Sequence, residues 1–137
     1  MPTLTLADLD GFTGSLDWTR HWMNRNLIYS EGMAHVAEHA GGGAFWLLDA
    51  IASHEVHNPE LVAFKQADLD FDSMRFWTLT VDTEKHTAVL ECRGDSDQPA
   101  VVRQEIEHTD FPLSDLTVYA GNDGPGTPTK LFLPSEY

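Results

Sequence analysis

Apolar residues recur with a helical period in the first half of the chain and with a period of two in the second. Met33, Val36, Ala37 and Ala40 stand at i, i+3, i+4 and i+7, the single apolar face of an amphipathic helix. Ser30 is placed to cap that helix, and Glu31 sits beside the positive end of its dipole. Gly41, Gly42 and Gly43 end it, since glycine takes the left-handed terminal conformation readily. A second helix, residues 44–54, is apolar on nearly all sides through Phe45, Trp46, Leu47, Leu48, Ala50, Ile51 and Ala52, the pattern of a buried helix. Asn58-Pro59-Glu60 opens a further short helix through Phe64. Upstream, Trp18 and Trp22 share one face if their segment is helical, and Leu27-Ile28-Tyr29 reads as a short strand or an extended approach.

In residues 75–82 Trp77, Leu79 and Val81 alternate with Thr78 and Thr80. In residues 87–93 the apolar face is Ala88, Leu90 and Cys92. In residues 100–108 it is Val102 and Ile106, with Arg103, Glu105 and Glu107 opposite. Short polar links at 83–86 and 94–99 predict two hairpins and a three-stranded antiparallel meander. Residues 116–120 and 131–133 are candidate edge strands, joined by a loop rich in Gly, Asn and Asp. Helices followed by strands predict a single α+β domain over residues 1–137, with N-terminal helices packed on one face of a C-terminal antiparallel sheet.

Charge changes the picture most. There are 22 acidic residues against eight basic ones, a formal net charge of −14. Such a chain is repelled by nucleic acid and by anionic membranes and is attracted to basic surfaces. It has no basic cluster to neutralise phosphates, which disfavours direct DNA or RNA binding. The thirteen or so residues at the start include Asp8 and Asp10 and lack a basic stretch, unlike a secretory signal (roughly 15–30 residues with a charged start). The lone Cys92 forms no internal disulfide and suits a reducing, cytoplasmic setting.

Several clusters carry candidate chemistry. His35-Val-Ala-Glu38-His39 matches the H-x-x-E-H spacing in which two histidines hold zinc and the glutamate activates water. Those residues fall opposite the apolar stripe, where an ordinary helix surface is expected, and no third ligand is evident. His54 and His57 are a second candidate metal pair, which Asn58-Pro59 places at a helix end. Asp68-Leu-Asp70-Phe-Asp72 alternates acid and apolar residues. A calcium loop is excluded because Ser73 and Leu79 stand where glycine and glutamate are needed. The alternation predicts an extended segment that buries Leu69 and Phe71 and presents carboxylates. Glu105 and Glu107 on an exposed strand face read as solvated surface rather than as a glycosidase pair. Asp49, inside the apolar helix, needs a partner from Arg20, His21, Arg25 or the indole of Trp18 or Trp22. Cys92 is expected to be an inert core thiol. No cofactor motif is present, and no catalytic or metal site is assigned.

Phe12-Thr-Gly14 with Trp18 and His21, Ala37-Glu-His39 leading into residues 45–52, Phe111-Pro-Leu113, and Leu133-Pro-Ser-Glu-Tyr137 occur in this order across most of the chain. Together they resemble an uncharacterised family of small bacterial and plasmid-borne proteins known only as a domain of unknown function. The resemblance implies a mobile-element setting and carries no catalytic residues. With the charge, it leads to the expectation of a non-enzymatic acidic protein that blocks a basic, nucleic-acid-binding host protein, such as a CRISPR effector or restriction enzyme. The expected contacts are Asp68, Asp70, Asp72, Asp95, Asp97, Glu105 and Glu107. The alternatives are a metal-dependent hydrolase using His35, Glu38 and His39, and an accessory protein.

Overall fold

The computed structural model describes residues 18–24, 26–95, 97–124 and 127–136. Among these, strands β1 (Trp18–Arg20) and β2 (Leu27–Ser30) precede helices α1 (Glu31–His39), α2 (Phe45–His57), α3 (Pro59–Ala67) and α4 (Leu69–Ser73). Strands β3 (Met74–Asp82), β4 (Thr87–Arg93), β5 (Val102–Ile106), β6 (Asp115–Gly121) and β7 (Thr129–Phe132) follow, then a 3-10 turn at Pro134–Glu136. The fold is α+β. The strands form one sheet in the order β1-β2-β7-β6-β3-β4-β5, antiparallel throughout except for the parallel pair β2 and β7.

The helix signals act locally as expected. The Ser30 hydroxyl accepts from the Met33 amide, and Ala40 ends α1 ahead of Gly41, whose φ is +58°. The Asn58 side chain caps α3 through the amides of Glu60 and Leu61, with Pro59 in the first turn. The meander is present as β3-β4-β5, with Trp77, Leu79 and Val81 facing the core beside Ala88, Leu90 and Cys92.

Three expectations are corrected. Trp18 lies in a strand and Trp22 in the following turn, so the two do not share a helical face. Strands β6 and β7 are interior, and the sheet's edges are β1 and β5. The added strands come from the N-terminal half: β2 pairs with β7 about a hundred residues away, a contact that leaves no periodic trace. Helix α2 runs to His57 and buries one side only, Leu47, Leu48, Ile51, Ala52 and Glu55, while Phe45 and Val56 are exposed. The helices cover a single face of the sheet, so the outward side of α2 meets solvent despite its apolar residues.

Behind the helices lies a buried charge cluster. Glu55 of α2 and Arg75 of β3 are both buried and form a two-point ion pair. Oε2 of Glu55 accepts from Arg75 Nε at 2.8 Å and from the Trp77 indole at 3.1 Å. Oε1 accepts from Arg75 Nη2 and from Lys65 Nζ, the latter at 3.1 Å. Arg75 Nη1 donates to the carbonyl of Asp72 at 2.9 Å, holding the end of α4. Burial alone pushes the Glu55 carboxyl up. Arg75, by hydrogen bond and charge, and then Lys65 outweigh it and hold the group below its ordinary value.

The C-terminal turn is tied to the start of α1. Glu136 Oε1 accepts from the Ser30 hydroxyl at 2.5 Å and the Leu133 amide at 2.9 Å, and Oε2 accepts from the Gly32 amide at 3.2 Å. A Cβ on Gly32 would stand 2.6 Å from that carboxylate, so this close approach requires glycine.

Glu55→Gln leaves a buried guanidinium without its counter-charge and is expected to lower unfolding free energy by about 3–5 kcal/mol, read from denaturant midpoints. Exposed Asp70→Asn is expected to stay within about 0.5 kcal/mol of the parent. Because folding lowers the Glu55 pKa, its contribution is complete above the ordinary value of 4.5 and is lost as pH falls through the folded value. The stability gap between the parent and Glu55→Gln should therefore be flat near neutrality and narrow below about pH 4.5 when the same midpoints are measured in acid.

Candidate partner-binding surface

Helices α3 and α4 meet end to end at Asp68, which closes the first and caps the second. Its Oδ1 accepts from the amides of Asp70 at 3.0 Å and Phe71 at 3.2 Å. That cap makes the Asp68–Asp72 segment helical and corrects the extended reading. Phe71 is buried as expected, but Leu69 is 78 % exposed, since a helix separates residues that a strand would put on one face. The aspartate that alternation made part of a strand is the residue type best suited to a helix N-cap.

A cleft of about 400 Å³ opens between these helices and the β4–β5 loop. Phe64 and Phe71 form one wall, their ring centroids 4.9 Å apart, and Pro99 lies across from them. Asp68, Asp70 and Asp95 also line it. The loop comes close because Gly94 has no side chain: a Cβ there would stand 3.0 Å from the Phe71 ring. Phe64 remains 47 % exposed.

The expected acidic contacts thus divide. Asp68, Asp70 and Asp95 share the cleft, and Asp97 is exposed on the same loop. Asp72 lies outside the cleft lining, where its carbonyl accepts from Arg75 and from Asn122 Nδ2. Glu105 projects from the opposite face of the sheet and bonds Arg103 at 3.2 Å. Glu107 follows the last residue of β5. At about 3.4 Å per residue these glutamates lie roughly 10–17 Å along the strand from the loop.

The histidine clusters are occupied in other ways. The rings of His35 and His39 lie against each other, tilted by 44° with centroids 4.5 Å apart, and His39 approaches Glu38 at 3.7 Å. Among the described residues no three His, Cys, Asp or Glu side chains are grouped to hold a metal ion. Asn58 Nδ2 donates to Nδ1 of His54 at 3.1 Å, so Nε2 carries the proton and donates to Gln104 Oε1 at 2.8 Å. His57 is exposed.

Asp49 finds two of its expected partners: His21 Nε2 at 2.8 Å and the Trp22 indole at 2.9 Å. The burial is reversed from expectation, because His21 is buried and the Asp49 carboxylate is 40 % exposed. Nδ1 of His21 accepts from the amides of Met23 and Asn24, each at 3.1 Å. With both ring nitrogens engaged, His21 shapes the turn. Burial raises the Tyr29 hydroxyl above its ordinary value, reinforced by the carboxylates of Glu38 and Asp49.

On the sheet face opposite the helices, Phe76, Tyr119, Phe132 and Trp18 run side by side across β3, β6, β7 and β1. Successive ring centroids are 5.0, 5.7 and 6.4 Å apart, all edge-to-face. Lys130 lies 5.4 Å from the Trp18 ring and bonds Asp123 at 2.5 Å. Arg93 and Arg103 share this face, each bonded to a glutamate. The signal was the aromatics standing out of phase with the core positions of their own strands.

Cys92 is buried and free, and burial pushes its thiol up to about 12. Iodoacetamide at pH 8 is expected to leave the native protein unlabelled and to label it fully in denaturant, read by intact mass.

No helix among the described residues is long and apolar enough to cross a membrane. No curated protein and no solved structure matches the chain. The chain belongs to the family of unknown function designated DUF6876, whose model matches residues 3–137.

Proposed function

We propose that this chain is a non-enzymatic acidic binding protein that occupies the basic surface of a nucleic-acid-handling protein and blocks it, as an anti-defence factor of the anti-CRISPR or anti-restriction kind. The observation that carries the reading is the cleft in which Asp68, Asp70 and Asp95 are set beside the rings of Phe64 and Phe71. A lysine or arginine side chain is the natural occupant. Its charge meets carboxylates, and its stem or guanidinium plane packs on an aromatic ring. The −14 net charge would steer such a partner in and would oppose nucleic acid at the same site. Asp97 extends the acidic rim along the loop. Glu105 and Glu107 belong to a different face and would engage only a partner that wraps the β5 edge.

The experiment pairs affinity capture from host lysate with competition by duplex DNA. The parent is expected to retain nucleic-acid-binding proteins, to release them when DNA is added, and to lose them at high salt, because the screening length falls from about 8 Å at physiological ionic strength to about 3 Å at 1 M. The variant D68N/D70N/D95N is expected to associate about tenfold more slowly with any captured partner. Asparagine also caps helices, so Asp68→Asn removes the charge and leaves α4 in place. Capture of no nucleic-acid-binding protein at either salt, or capture indifferent to DNA, overturns the reading.

A further inference from the structure

The edge strand β5 is hydrogen-bonded to β4 on one side, and among the described residues nothing pairs with its other side. An unpaired edge presents a row of backbone donors and acceptors to any second strand. Folded proteins usually blunt such an edge with proline, lysine, a bulge or a covering loop. The five residues of β5, Val102-Arg-Gln-Glu-Ile106, contain no proline, lysine or glycine, and they pair with β4 in unbroken register. In a chain of net charge −14 this edge is locally neutral, with one arginine and one glutamate.

Their order is self-complementary. If a second copy of β5 runs antiparallel about a two-fold axis at Gln104, Arg103 faces Glu105 of the other copy, and Glu105 faces its Arg103. Val102 and Ile106 then face each other on the helix side. Each outward pair joins opposite charges, and each Val102–Ile106 pair joins β-branched side chains, with Gln104 facing its own copy between them; both kinds of pair are favourable across neighbouring strands. Arg103 and Glu105 are exposed, at 55 % and 75 % of their side-chain surface, and their mutual bond at 3.2 Å would be exchanged for the two across the axis. The half-buried Ile106 gains cover in this register. A groove lined by His57, Pro59, Glu60, Val101 and Val102 flanks the same edge, leaving room on the helix side for the facing chain. A shift by one residue would place side chains on the wrong face, and a shift by two would break both Arg103–Glu105 pairs, setting arginine against arginine or glutamate against glutamate at the axis.

We infer that β5 is a homodimer interface, through which two copies of this chain join their sheets into one continuous fourteen-stranded sheet by edge-to-edge pairing centred on Gln104. The occupant is a second copy because the charge order matches itself. A two-fold contact demands this reciprocity: residue i meets j, and j meets i. The inference is independent of the acidic cleft and stands or falls without it.

The test is sedimentation equilibrium over about a hundredfold range of protein concentration at physiological ionic strength, where dimer formation follows mass action. The parent is expected to dimerise. Glu105→Arg sets arginines against arginines in a homodimer, and Arg103→Glu sets glutamates against glutamates. Each variant alone is expected to dissociate at least about tenfold more readily than the parent. Mixed in equal amounts, the two variants are expected to recover dimer, since every outward pair between E105R and R103E joins opposite charges. Glu105 faces Val89 within its own sheet, so its reversal meets no charged cross-strand neighbour there. Circular dichroism of each variant before mixing establishes that it is folded. Monomeric parent at every concentration overturns the inference, as does dimerisation undiminished in both variants or a mixture that stays monomeric.

Discussion

Glu55 has all the hydrogen-bond donors that a carboxylate can take, supplied by Arg75, Lys65 and Trp77. An ion pair withdrawn from water loses hydration that only complete pairing restores. That condition fixes several elements at once. Glu55 lies on α2, Lys65 on α3, and Arg75 and Trp77 on β3, while the remaining arm of Arg75 holds the carbonyls of Phe71 and Asp72 at the end of α4. The registration of three helices against β3 therefore depends on one carboxylate. The cleft depends on it in turn, because Phe71 is its wall and α4 carries Asp70 to its rim. The same cluster takes one acid and one base out of contact with solvent, with Lys65 partly covered, and leaves the exterior still strongly acidic.

That exterior is uneven. The helix side and the β4–β5 loop bring aspartates beside exposed aromatic surface. The opposite sheet face gathers Arg93, Arg103 and Lys130 around a row of rings, each of these bases matched to a nearby acid. A single net charge thus describes two different surfaces. One offers carboxylates to a cation; the other is nearly balanced and apolar along its centre.

Much of the local structure was legible in the chain. Ser30 and Asn58 act as caps, Gly41 ends a helix, and the period-two positions of β3 and β4 face the core as the alternation requires. The readings that failed share one cause. Asp68–Asp72 has a pattern compatible with a strand until the Asp68 side chain captures the amides behind it. Asp49 was placed in the interior because its neighbours are apolar, yet α2 lies in a single layer and shows solvent its outer side. Glu55 carries no signal of its own, since nothing within a few residues of it announces Arg75. The partners of Asp49 are legible because few donors are available, whereas the aromatic row is not, because each ring alone resembles an ordinary exposed residue.

The sequence by itself determined most of the element types, the helix caps at Ser30 and Asn58, the inward face of the meander and the sign of the surface. These are local properties: capping, periodicity and composition act over a few residues, and the chain states them directly. Tertiary structure alone decided the parallel pairing of β2 with β7, the burial of Glu55 with Arg75, the tie from Glu136 back to Ser30, and the meeting of Asp68 and Asp70 with Asp95. Each joins residues from separate elements, and its free energy comes from desolvation and pairing that exist only when both are in place. The preference of either partner alone carries no record of the other.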